Sequence, residues 1–136
     1  MNTILNQLKQ IETPLMIVGG VAKYLNGYVE TYDKKWIDIA ITSESIDAVK
    51  QLGTYLPIET SFPPELVIEQ FIVKTDDWIL DVFVKDTLIY EEWDLVSGSR
   101  VQTPEYDVVW HALLTDVVDN EHCNAKLTER LNLYNF

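Results

Sequence analysis

Sulfur, histidine and positive charge are scarce in this chain, and each scarcity removes a class of function. The single cysteine, Cys123, has no partner with which to close an internal disulfide. Only two histidines occur, His111 and His122, with no cysteine or acid at metal-ligand spacing around them, which argues against a zinc site. Nor do Cys123 and His122 make a nucleophile and base, because adjacent residues on a helix point about 100° apart. Lys and Arg number 10 against 22 Asp and Glu, a formal charge of -12, and no basic cluster exceeds Lys34-Lys35. A surface of that sign repels a phosphate backbone, so long DNA or RNA is not an expected ligand. No apolar run approaches the roughly 18 residues of a membrane-spanning helix and no signal peptide opens the chain, so the reading gives no membrane partner and a cytoplasmic location.

What is present is enough to fold. Residues 1–136 form one expected domain, and 47% hydrophobic with 11% aromatic residues is far from the composition of a disordered chain. Its organising stretch runs from Leu15 to Thr42. Leu15, Met16, Ile17 and Val18 form an apolar run ended by Gly19 and Gly20, and Val21, Ala22, Tyr24 and Leu25 then recur at helical spacing as far as Gly27. The pattern predicts a buried strand, a glycine turn and a short helix whose N-terminus accommodates an anion. From Trp36 to Ile41 the chain alternates: Ile37, Ile39 and Ile41 face a core, while Trp36, Asp38 and Ala40 are displayed on the other side.

The flanking segments complete a mixed α/β outline. Ile4, Leu5, Leu8 and Ile11 predict an amphipathic helix ended near Thr13-Pro14, and Thr42-Ser43-Glu44-Ser45 supplies hydroxyl caps for a crossover helix bearing Ile46, Val49 and Leu52. Pro57, Pro63 and Pro64 mark Tyr55 to Pro64 as a connection, with room for a short edge strand around Ile58. Leu66 to Lys74 and Trp78 to Val84 flank Thr75-Asp76-Asp77 and predict an antiparallel hairpin. In its second strand Ile79, Asp81 and Phe83 share one face. Further on, Thr103 as N-cap, Pro104 at the first helical position and Glu105 in the first turn open a helix carrying Val108, Val109, Ala112, Leu113 and Val117. Glu121 to Asn135 gives one more, with Cys123, Leu127, Leu131 and Tyr134 inward. Trp78, Trp93 and Trp110 read as core or edge-covering residues. The expected fold is α+β, a mixed sheet with helices mainly on one face.

This order of parts resembles the nucleotidyltransferase superfamily of polymerase beta, the CCA-adding enzymes and the small nucleotidyltransferase toxins. There a Gly-Gly or Gly-Ser turn opens a helix, a strand with aspartates at i and i+2 follows, and a third carboxylate lies on a neighbouring strand. Gly19 and Gly20 match the turn, Asp38 the second aspartate and Asp81 the third carboxylate, while Trp36 stands where the first acid belongs. The helix from Thr103 resembles the one after the third catalytic strand, with His111 near the place of the family's lysine. The resemblance implies Asp38 and Asp81 as metal-binding and catalytic residues, Gly19 and Gly20 as phosphate-cradling ones, and Mg2+ with a nucleoside triphosphate as cofactors. Loss of one acid undermines the two-metal chemistry of nucleotidyl transfer. Three functions are therefore carried forward: a catalytically degenerate member acting through a protein partner, ranked first; an active metal-dependent transferase modifying protein or RNA; and an acidic decoy for a basic protein.

Overall fold

A computed structural model describes residues 2–25, 30–65, 67–88, 129, 130, 132 and 133. Helix α1 (Asn2–Lys9) leads into strand β1 (Leu15–Val18), which passes directly into helix α2 (Gly19–Leu25). Strand β2 (Trp36–Ile41) is followed by a 3-10 turn (Ser43–Ser45), helix α3 (Ile46–Lys50) and strands β3 (Thr54–Ile58), β4 (Glu69–Lys74) and β5 (Ile79–Val84). The architecture is α+β, a mixed five-stranded sheet in the order β1-β2-β5-β4-β3. Strands β2 and β5 are parallel at its centre, and every other neighbouring pair is antiparallel.

Alternation along the strands sorts the side chains into two layers. On one face Ile17, Ile37, Ile39, Ile41, Leu80 and Val82 are fully buried beneath Leu5 and Leu8 of α1, Val21 of α2 and Val49 of α3. Helices α1, α2 and α3 each supply this cluster, which is the face expected of the isoleucines. Trp78 joins it at 6% exposure, although β5 itself starts one residue later at Ile79. On the opposite face Met16, Val18, Ala40, Val67 and Phe83 form a second, smaller core, with Phe62 and Leu88 against it. Burial of Ala40 corrects the expectation that this whole side of β2 is displayed: only Trp36, at 41% exposure, is open, and Asp38 is half-buried.

Two local readings change for physical reasons. The segment read as a connection does hold the short edge strand around Ile58 for which it left room, but that strand, β3, reaches back to Thr54. Among the described residues it is an edge of the sheet, and it accommodates Pro57 because a missing N–H there breaks no ladder on its outer side. The hydroxyls of Thr42 and Ser45 make no helix-capping bond. The buried Ser45 hydroxyl instead donates to the Pro14 carbonyl at 2.6 Å and is hydrogen-bonded to the Thr13 hydroxyl at 2.7 Å, tying the start of β1 to the α3 segment. The β4–β5 hairpin closes as expected, with Thr75 N–H donating to the Trp78 carbonyl at 2.8 Å and Trp78 N–H donating to the Thr75 hydroxyl at 3.0 Å. The helices expected from Thr103 and over most of 121–135, with His111, His122 and Cys123, lie outside the described residues; Glu129, Arg130, Asn132 and Leu133 are helical.

Candidate functional site

The two aspartates meet. Parallel pairing of β2 with β5 sets Asp38 directly opposite Asp81, and in-register neighbours share a face. Val18 on β1, Ile72 on β4 and Leu56 on β3 continue the same row across the sheet. The acid pair therefore sits mid-sheet, opposite the helical layer. One row further along, the apolar pair Ala40 and Phe83 buries one side of it, and the more exposed pair Trp36 and Ile79 borders the other.

The glycine turn closes on Asp38. Gly19 has φ +69°, a conformation that side chains with a Cβ avoid, and a Cβ built there would stand 2.6 Å from Asp38 Oδ2. At Gly20 a Cβ would meet the Tyr32 ring at 2.8 Å. Both glycines are thus explained by close approach: one makes room for the aspartate, the other for the tyrosine that follows it in the wall of the cleft. Tyr32 is held in turn by donating its hydroxyl to the Trp36 carbonyl at 2.6 Å. Gly20, Tyr32, Lys34, Lys35, Trp36 and Asp38 line an open cleft of about 630 Å³.

Electrostatics mark the pair as strained toward neutrality. Burial pushes the Asp38 carboxyl up to about 6, the charge of Asp81 pushes the same way, and Lys34 pulls it down. Burial also raises Asp81, opposed by Gln70, whose Nε2 donates to Asp81 Oδ1 at 2.8 Å. That bond stabilises the charged form of Asp81, so the second ionisation falls on Asp38 against an existing charge. Tyr32 is pushed up to about 12 by burial, then by Asp38 and Asp33. These are not acids on a solvated sheet face, where carboxylates titrate close to their ordinary values.

A divalent cation fits two adjacent carboxylates whose mutual repulsion it would relieve, and magnesium needs few protein ligands because it retains waters. Among the described residues no third acid joins the pair in a metal-binding group. Glu30 has its carboxylate 3.9 Å from the Arg130 guanidinium, and among the described residues no group of three His, Cys, Asp or Glu is arranged for a metal. Trp36 occupies the position two residues before Asp38 on the same face, so no carboxylate stands there.

Sequence reasoning missed three residues that shape the site. Gln70 was legible in principle: in Glu69-Gln70-Phe71-Ile72-Val73 it shares a face with Ile72, and closing the hairpin at Thr75-Asp76-Asp77 brings that face beside Asp81. Tyr32 lies in a loop with no periodicity. Arg130, 5% exposed, stacks its guanidinium 4.3 Å from the Tyr24 ring and donates to the Tyr24 carbonyl at the end of α2, and Tyr24 packs on Tyr32 at 6.5 Å between ring centroids. Nothing local in the sequence announces that long-range cap. Comparison of the chain with protein-family models, with curated proteins and with solved structures found no match.

Proposed function

We propose that this chain is a nucleotidyltransferase-type domain that retains binding without transfer: Asp38 and Asp81 hold one Mg2+ together with a nucleotide, and the domain acts through a protein partner. The observation that carries the reading is the in-register pair Asp38 and Asp81 beside the positive-φ Gly19, with Trp36 in place of a further acid. Bound there, a magnesium ion supplies charge neutralisation for phosphate oxygens. The chain's own residues do the rest. Gln70 orients Asp81, Gly19 admits the Asp38 carboxylate, and Gly20 with Tyr32 fixes the wall against which phosphates would lie. Two-metal activation needs acids enough for both ions, and Trp36 removes one of them. A protein contact is supported by the exposed apolar side chain of Leu56, at 39%, in the same row of the same sheet face as the acid pair.

The test incubates the protein with each labelled nucleoside triphosphate, Mg2+ or Mn2+, and a pool of RNA and protein acceptors. No label should transfer. Transfer that Asp81→Asn abolishes would refute the reading and establish an active enzyme. The decoy alternative separates by salt: a partner held by charge alone is released as ionic strength rises, whereas one docked on the apolar surface around Leu56 stays.

A further inference from the structure

Trp36 is the feature that loss of an acid does not by itself explain. Any non-acidic residue would remove the carboxylate, yet the position holds the largest side chain there is, 41% exposed and lining the cleft. Its surroundings are equally specific. Tyr32 lines the same cleft, and so do Lys34 and Lys35 although the chain has only 10 Lys and Arg against 22 acids. The Lys35 ammonium lies over the Trp78 ring, 4.9 Å from its centroid, so Lys34 is the cation offered to a ligand. Lys34 is near enough to Asp38 to favour its ionised form. A cleft of about 630 Å³ is the size of a small-molecule site rather than of a protein groove. Aromatic surface, the Lys34 cation and Asp38 in the cleft, with Asp81 beside Asp38 on the neighbouring strand, together describe a ligand that is planar at one end, anionic at the other and chelated to a metal. At a rise of about 3.3 Å per residue, Trp36 lies roughly 7 Å along β2 from Asp38, comparable with the separation of a nucleotide's base from its α-phosphate.

We propose that Trp36 is a stacking platform for the base of a metal-bound nucleoside triphosphate, with Lys34 as the cation that meets its phosphates. The proposal rests on the acid-pair reading above and adds to it the part of the ligand that the indole recognises. Stacking on an aromatic side chain is tolerant of base identity, so the platform takes purines and pyrimidines alike and favours purines by their larger area.

The experiment titrates the intact chain calorimetrically with Mg-ATP and with Mg-tripolyphosphate, which has the phosphates and no base. Wild type, Trp36→Ala, Trp36→Phe and Asp81→Asn are compared. Base–aromatic stacking predicts that wild type binds Mg-ATP about ten-fold or more tightly than Mg-tripolyphosphate. Trp36→Ala should level the two affinities by weakening Mg-ATP alone, and Trp36→Phe should keep most of the preference. Equal affinities in wild type, or a preference that survives Trp36→Ala, overturns the platform. Failure of the acid-pair reading looks different: Asp81→Asn then leaves both affinities unchanged while the Trp36-dependent preference persists. If neither ligand binds, both proposals fall.

Discussion

Replacing Asp38 by asparagine should make the protein more stable at neutral pH, because the native fold holds this carboxylate ionised against its surroundings. Burial and the Asp81 charge raise the folded-state value to about 6 from an ordinary 3.8. The sign follows from linkage. A carboxyl raised on folding stabilises the native state while protonated there, so its contribution is fully present below about 3.8 and is lost as pH rises through about 6. Two units at 1.36 kcal/mol each put the loss near 3 kcal/mol, an upper figure because Asp38 is only half-buried. Asparagine retains the shape and carries no charge. Its advantage at pH 8 should be about 1 to 3 kcal/mol, and it should shrink by roughly 1 kcal/mol at pH 5, where the folded aspartate is mostly protonated. Urea melts of both proteins in EDTA at the two pH values measure this directly. A variant less stable than wild type at pH 8, or a difference that does not change with pH, would refute the repulsion argument.

Two further substitutions test the faces of the sheet. Ile39→Ala, fully buried under the helices, should cost roughly 2 to 5 kcal/mol in the same melts, while Asp38→Ala costs far less; equal losses would mean that the faces of β2 are assigned the wrong way round. Gly19→Ala puts a Cβ 2.6 Å from Asp38 Oδ2 on a backbone with φ +69°, so it should cost at least about 1 kcal/mol and displace the carboxylate. A neutral Gly19→Ala would show that the turn relaxes without disturbing Asp38.

The elements around the site were readable because their signals are local. Four apolar residues and two glycines define β1 and the start of α2, and alternation alone puts Asp38 opposite the isoleucines and Asp81 with Ile79 and Phe83. What alternation cannot give is which strands are neighbours, so the meeting of Asp38 and Asp81 depends on a parallel pairing made across α3, β3 and β4. Burial of the pair was missed for a related reason. Met16, Val18, Ala40 and Phe83 come from three strands and form a second core only once these are adjacent, which turns a displayed acid into a half-buried one. Ser45 shows the competition between levels: a hydroxyl placed as a helix cap by sequence is taken by the Pro14 carbonyl, a partner 31 residues away. Pro57 shows the converse, a breaker that an edge strand tolerates.

The central claim is that Asp38 and Asp81 bind one metal ion where an active transferase binds two. Counting Mn2+ per chain by electron paramagnetic resonance, with a non-hydrolysable nucleoside triphosphate analogue present, tests it most directly. The account predicts one ion in wild type, none in Asp81→Asn, and a second ion gained by Trp36→Asp. Two ions in the wild-type chain, or one that survives Asp81→Asn, would contradict it.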